Sequence, residues 1–373
     1  MRIAEVAPLI ESVPPEGYGG TERVVSYLTE ELVREGHEVT LFASGDSTTS
    51  ARLVPCATRA LRLDESVVDP IAHQILEIER VAQMASEFDV IHWHLDYFHI
   101  PLSRRLGVPR VTTLHGRLDL PDLQPLYAEF RDEPLVSISN DQRSPLPDVN
   151  WVATIYHGMP ADELAPRFQP GEYLAFLGRM SPEKRADRAI EVARRVGMPL
   201  KIAAKVDDAD RDYFEEHIEP MLEADHVDFI GEIGPADKAD FLGRARALLF
   251  PIDWAEPFGL VMIEAMACGT PVIAYRSGSV PEVIADGVNG FIVETIDETV
   301  EAVGRLDELS REGCRAAFEE RFTVERMAQA YVSTFERLIG ASRGGEPRVP
   351  LTVGGADLAD SAGTEQFVES PRP

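Results

Sequence analysis

Leu248-Leu-Phe-Pro-Ile-Asp-Trp-Ala-Glu256-Pro-Phe-Gly-Leu-Val-Met-Ile-Glu264-Ala-Met-Ala-Cys-Gly-Thr-Pro271-Val-Ile-Ala274 reads as strand, helix, strand. Leu248–Pro251 is a short apolar run. A Pro-Phe-Gly turn follows, and Leu260, Val261, Ile263 and Met266 then recur at helical spacing over Gly259–Cys268. Pro271–Ala274 is apolar again. Short links between strand, helix and strand require a parallel sheet. Glu256 falls in the loop over the helix N-terminus, and Glu264 about 1.5 turns inside, ~8 Å along the axis. Free N–H groups at a helix start face anionic oxygens. Two carboxylates can accept hydrogen bonds from two separate sets of hydroxyls. Such an arrangement suits a polyhydroxylated anion, and a hexose, a diphosphate and a ribose are the parts of a nucleotide sugar.

The same alternation extends outward. At the start of the chain Arg2–Val6 reads as a strand, and a long loop carries Gly17, Gly19 and Gly20. Thr21 can cap a helix with Val24, Val25, Leu28 and Leu32 on its apolar face, ending at Gly36, and Val39–Phe42 is the next strand. Val90–His92, Val111–Leu114 and Leu135–Ser139 continue the series. A Pro- and acid-containing stretch from Pro160 to Pro170 interrupts it. Beyond it the strands are Tyr173–Leu177, Leu200–Ala204 and Val227–Ile230, with helices over Pro182–Arg195, Asp210–Glu223 and Lys238–Ala245. Two α/β units are expected, 1–165 and 166–322, with the ligand in the cleft between them at the carboxyl ends of the strands. Residues 341–373, rich in Gly, Ser, Pro and charge, read as a disordered tail.

Bulk properties exclude several classes. A chain of 373 residues is too long for one ordinary core and suits two domains. No apolar run approaches the ~20 residues of a membrane span, and the N-terminus lacks the basic and apolar regions of a signal peptide. Cys56, Cys268 and Cys314 are odd in number and far apart, as expected of reduced thiols in a cytoplasmic protein. A net charge of −28 argues against nucleic acid and against anionic lipid, which both ask for basic patches. Its plainest meaning is solubility.

Four further constellations bear on chemistry. In Phe176-Leu-Gly-Arg179-Met-Ser181-Pro-Glu-Lys184-Arg185, Ser181 suits an N-cap and Pro182 the first helical position. Arg179 and Lys184 then crowd a helix end that is already positive. At an effective dielectric near 20, a charge pair at 4 Å is worth roughly 4 kcal/mol, so an anion sharing the space would reverse the sign. The alternative is a surface cluster with Glu183 and Asp187. Gly17-Tyr-Gly-Gly-Thr21 lets a backbone approach a ligand closely. With Asp46 after the second strand it also mimics a dinucleotide site, although it is not G-x-G-x-x-G. His92-Trp-His94-Leu-Asp96-Tyr-Phe-His99 places His92 and His94 on one face of a strand, open either to zinc or to packed, hydrogen-bonded imidazoles. His115, at the end of another strand, is the better catalytic candidate. Asp208-Ala-Asp210 spells a metal-binding D-x-D, but acids at a helix start need no metal to explain them. No metal ligand and no cofactor is assigned.

Together the segments resemble the retaining glycosyltransferases of family 4, of GT-B fold. The likeness runs from residue 1 to about 340. It rests on Gly19-Gly20-Thr-Glu-Arg23, Gly36-His-Glu-Val39, Gly178-Arg179…Glu183-Lys184, Asp228-Phe-Ile-Gly231-Glu232, Glu256–Glu264, Ala267-Cys-Gly-Thr-Pro-Val272 and Asp286-Gly-Val-Asn-Gly290. It implies two Rossmann-like α/β/α domains with parallel sheets facing a central cleft, acceptor on the N-terminal side and donor on the C-terminal side. It further implies a last helix, near Thr323–Ile339, crossing back to the first domain. By resemblance, Arg179 and Lys184 neutralise the donor diphosphate. Glu256 holds sugar hydroxyls beside the amides of Phe258, Gly259 and Leu260. Glu264 binds the ribose, Gly231-Glu232-Ile233 meets the base, Gly19 and Gly20 approach the phosphate, and His115 faces the sugar. Tyr156-His157-Gly158, the Gly116 after His115 and Ser277-Gly-Ser279 depart from the usual pattern.

The function so implied is transfer of a hexose, UDP-glucose being the commonest donor in the family, to an unidentified acceptor without a metal. A sugar-nucleotide epimerase or glycosyl phosphorylase on the same frame, a non-catalytic nucleotide-sugar binder and an NAD dehydrogenase are the alternatives.

Overall fold

The computed structural model describes residues 1–344. Its first half is built from β1 (Arg2–Val6), α1 (Gly20–Arg34), β2 (Glu38–Ser44), β3 (Arg52–Ala57), α2 (Pro70–Met84), β4 (Val90–Trp93), α3 (Ile100–Ser103), β5 (Arg110–Thr113), α4 (Leu123–Glu129), β6 (Leu135–Ser137) and β7 (Trp151–Thr154). The strands form one sheet in the order β3-β2-β1-β4-β5-β6-β7, every pair parallel. The second half runs β8 (Tyr173–Arg179), α5 (Ala186–Val196), β9 (Leu200–Lys205), α6 (Arg211–Tyr213), α7 (Glu219–Leu222), β10 (Val227–Gly231), α8 (Pro235–Gly243), β11 (Ala245–Phe250), α9 (Leu260–Ala267), β12 (Val272–Tyr275), α10 (Val280–Val283), β13 (Gly290–Val293), α11 (Ile296–Gly304), α12 (Arg311–Arg321) and α13 (Val324–Gly344). Its sheet is ordered β10-β9-β8-β11-β12-β13, again all parallel.

Both orders reverse once, between β1 and β4 in the first sheet and between β8 and β11 in the second. At such a switch point neighbouring connections leave the sheet in opposite directions and open a crevice beyond the carboxyl ends of the strands. Arg179 ends β8, and the segments after β8 and β11 carry Lys184 and Glu256. The crevice in the first sheet is floored by Glu5 of β1 and His92 of β4, which are in register.

Near the junction the chain crosses itself. The Met159 N–H donates to the Phe322 carbonyl (3.0 Å), and the Val324 N–H to the Met159 carbonyl (3.0 Å). From there α13 returns to the first half. Val324, Met327, Ala328, Tyr331 and Phe335 share one buried cluster with Ile3, Val24, Leu28 and Val90. The helix runs to Gly344, past the expected end near Ile339. Most of the tail expected to be disordered lies outside the described residues.

Several local expectations are corrected. Thr21 lies inside α1, whose N-cap is Gly19. The helix expected over Pro182–Arg195 is two pieces: a 3₁₀ turn over Pro182–Lys184, then α5, with Arg185 between them in left-handed conformation (φ 54°). Arg185 donates to Asp187 (2.9 and 2.8 Å) and Asp253 (2.8 Å), which hold it there. The Ser181 hydroxyl is buried without a partner among the described residues and caps nothing. The Asp210–Glu223 helix begins as a 3₁₀ turn at Asp208 and passes through a π-helical stretch over Phe214–Ile218 between α6 and α7.

Candidate active site

Both switch points open onto one cleft of about 430 Å³. Residues from both halves line it: Gly19, Gly20 and His115 from the first, and Arg179, Lys184, Glu232, Ile233, Glu256, Phe258, Gly259, Leu260 and Glu264 from the second. Gly231, expected beside them, ends β10 and is not part of the lining.

Two helix starts face the cleft. α1 enters through Gly19 and Gly20, and α9 through Gly259 and Leu260. The first N–H groups of each have no intrahelical acceptor. Gly259 has φ 79°, and a Cβ there would press on Met262 and Phe250, so only glycine fits the turn that aims α9 at the cleft.

The charges are arranged in acid–base pairs. The Lys184 ammonium donates to Glu256 Oε2, which also accepts from the Trp254 indole N–H (3.0 Å). Lys184 Nζ stands 5.2 Å from the Trp254 ring centroid. Arg179 Nη2 donates to Glu183 Oε1 (2.5 Å), its Nη1 lies 4.0 Å from Asp210, and its buried Nε has no partner among the described residues. The Lys238 ammonium donates to Glu264 Oε1 (2.6 Å). Glu232 accepts the backbone N–H of Tyr18 across the cleft (3.0 Å). The anion-site reading and the salt-bridge reading of Arg179 therefore meet in one place: Glu183 does pair with it, yet Arg179 lines the cleft. Asp187, by contrast, is taken by Arg185.

Lys238 and Trp254 are site residues that the sequence alone does not reveal. Lys238 is one of four lysines, but its partner lies on another helix, so spacing gives no signal. Trp254 sits two residues before Glu256, where only the fold shows that it stacks on Lys184.

On the first-half side the histidines converge. His92 Nδ1 lies 3.0 Å and His94 Nε2 2.9 Å from Glu5 Oε2, all three side chains being fully buried. His94 Nδ1 lies 2.8 Å from His115 Nε2. The His115 and His157 rings stack at 5.3 Å, and His157 meets Phe258 edge-on at 4.9 Å. Burial lowers His92 to about 3, His94 to about 4 and His157 to about 3, and holds His115 well below the ordinary imidazole range. All are neutral at pH 7. Among the described residues, Glu5, His92 and His94 are the one group close enough to share an ion. Hydrogen bonds already engage each of those atoms, which accounts for the cluster as packed imidazoles. His99 lies apart, bonded to Thr112 (2.8 Å) and stacked on Trp93.

Two motifs drop out. Asp46 accepts from the Ala60 N–H (3.0 Å) and lies away from the cleft lining, so it is no ribose acid of a dinucleotide site. In the D-x-D sequence, Asp208 pairs with Arg211 (2.7 Å) and Asp210 faces Arg179.

Comparison with known proteins agrees with this architecture. Residues 165–321 match the family Glycosyl transferases group 1, and residues 18–141 match Glycosyltransferase Family 4. The D-inositol 3-phosphate glycosyltransferase of Mycolicibacterium smegmatis is 25% identical over 403 residues, covering 88% of this chain and 89% of that protein. AviGT4, a glycosyltransferase involved in avilamycin A biosynthesis, superposes with a TM-score of 0.69 at 25% identity, over 91% of this chain and 98% of that one. Anabaena HepE in complex with UDP-glucose has a TM-score of 0.69 at 17% identity, over 90% of this chain and 100% of its own. The chain belongs to the family 4 glycosyltransferases of GT-B fold. No helix among the described residues is long and apolar enough to cross a membrane.

Proposed function

We propose that this glycosyltransferase moves a hexose from a nucleotide-diphosphate sugar to an acceptor hydroxyl with retention of anomeric configuration. UDP-glucose is the favoured donor. The observation that carries this reading is the cleft where Arg179, Lys184 and two helix starts converge, flanked by Glu256 and Glu264. The first half, 1–165, takes the acceptor, the second, 166–322, takes the donor, and 323–340 belongs with the crossing helix. The three unpaired thiols suit the reducing cytosol.

Departure of the diphosphate places negative charge where Arg179, Lys184 and the amide dipoles already point, so they lower the barrier rather than only bind the ground state. The incoming phosphate takes over Lys184 from Glu256, and Glu256 becomes free to accept from sugar hydroxyls. Glu264, steadied by Lys238, grips the ribose diol, and Glu232 with Ile233 lies against the base. The acceptor hydroxyl enters on the face from which the phosphate leaves. The positive charge comes from side chains, so the reaction proceeds without a metal. Closure over the donor excludes water and limits hydrolysis. HepE, the fold relative complexed with UDP-glucose, supports the choice of donor.

A thermal-shift panel of UDP-, GDP- and ADP-sugars tests the reading. A donor at 100 times its Kd adds ~2.7 kcal/mol of stability. A shift with one of them, and a glycosylated product unaffected by EDTA, is the expected result. No shift with any nucleotide sugar would count against it.

A further inference from the structure

Behind His115 a hydrogen-bonded chain runs into the core of the first half. Tyr331 Oη lies 3.0 Å from Thr113 Oγ1, which lies 2.7 Å from His92 Nε2. His92 Nδ1 reaches Glu5, Glu5 reaches His94 Nε2, and His94 Nδ1 reaches His115 Nε2. His115 Nδ1, itself buried, is the one nitrogen of the His92–His94–His115 chain without a partner among the described residues. We propose that Glu5 and His94 are positioning residues that hold His115 in a single tautomer, protonated at Nε2, and so fix its ring at the cleft wall. This rests on the cleft being the donor site.

The assignment propagates from Glu5. Burial raises the Glu5 carboxyl, while the bond from His94 lowers it; in its ionised form it only accepts, and a neutral imidazole carries one N–H. His92 must then donate through Nδ1 and His94 through Nε2. His92 Nε2 becomes the acceptor for the Thr113 hydroxyl, and Thr113 in turn accepts from Tyr331. His94 Nδ1 becomes the acceptor for His115 Nε2–H. One set of protons satisfies every contact. If Glu5 instead carried a proton and gave it to His94 Nε2, the order would reverse and His115 would present Nδ1–H. That leaves a buried donor without an acceptor, which costs more than an unpaired lone pair. It also forfeits the charge-assisted bonds from two imidazoles.

The wild-type protein, labelled with ¹⁵N in the imidazole rings, decides the matter by two-bond ¹H–¹⁵N correlation, which reports the tautomer of each histidine. The expected pattern is Nε2–H for His115 and His94 and Nδ1–H for His92. Nδ1–H at His115 would overturn the proposal, as would one equivalent of tightly bound zinc in the purified protein. Activity adds a second arm, using the nucleotide sugar with the largest thermal shift. His94→Leu removes the acceptor for His115 and lowers kcat about 30-fold, with donor KM within threefold, as misplacement of a group in the cleft wall does. His94→Asn returns an oxygen near the position of Nδ1 and restores kcat about tenfold over His94→Leu. Equal losses in the two variants at matched Tm would contradict the positioning role. If wild-type protein turns over no nucleotide sugar, the donor-site reading fails, while the tautomers are still decided by the spectra.

Discussion

At the residue scale, the charges of the cleft come as pairs, and each pair makes a prediction. On the proposed reading, Arg179→Ala and Lys184→Ala should each lower turnover about 10²-fold or more, since each would remove a donor aimed at developing negative charge. Steady-state kinetics at saturating donor would show it, and unchanged kcat in both variants would refute a part for either cation in leaving-group departure. The histidines make a second prediction. His92, His94 and His157 are depressed by burial from about 6.5 to about 3, 4 and 3. The unfolded chain therefore binds more protons below pH 6.5, so the stability that neutral burial confers is present above that pH and is lost as pH falls toward 4. Each such histidine adds a slope of about 1.4 kcal/mol per pH unit in that window. Melting temperature should fall steadily from pH 7 to pH 5, and a flat or rising profile would contradict burial of these rings. Glu256 and Glu264 are legible in the sequence because their spacing sets one over a helix start and the other within the helix. Lys238 is not, because its partnership with Glu264 exists only once α8 and α9 pack.

At the element scale, what reads clearly in the sequence is the alternation of apolar strand and periodic helix around β1, β8, β11 and β12. Strands such as β3, β7 and β13 carry too little pattern to stand out. Arg52–Ala57 holds Pro55 and an exposed Arg52, and its position comes from pairing with β2 rather than from local pattern. The break at Arg185 is also a tertiary effect, because Asp253 comes from a distant loop. The crossing of segments beside α13 gives a sharper test. A Cβ on Gly158 would fall on the Thr323 carbonyl. Gly158→Ala should therefore cost about 1–3 kcal/mol, as overpacking does, and should loosen the start of α13. Denaturant melts would measure the loss, and a variant as stable as wild type would show that the two segments do not meet so closely.

At the scale of the whole molecule, the cleft is lined by residues of both halves, and the proposed reaction needs them closed in register. Besides the Glu232–Tyr18 bond and the crossing at Met159, Glu282 bridges them: it accepts from the Asn140 N–H (2.7 Å), the Asn140 side-chain amide (2.8 Å), the Asp141 N–H (2.8 Å) and the Tyr156 hydroxyl (2.9 Å). Glu282→Ala removes all four and should shift the halves apart. Small-angle scattering should report a larger radius of gyration, and donor hydrolysis should rise relative to transfer as water enters. Unchanged scattering and product ratio would assign closure to other contacts. Two parallel sheets meeting at a cleft follow from the order of elements in the sequence. The pairing of Lys184 with Glu256 and the route from Glu5 to His115 do not, since each joins distant segments that only the closed fold brings together.

The most direct measurement is a crystal structure with UDP bound. The β-phosphate should lie within about 2.7–3.2 Å of Arg179 and Lys184, with the Lys184–Glu256 bond broken and the ribose on Glu264. UDP seated elsewhere, or Lys184 still bound to Glu256 with the nucleotide in the cleft, would contradict the account.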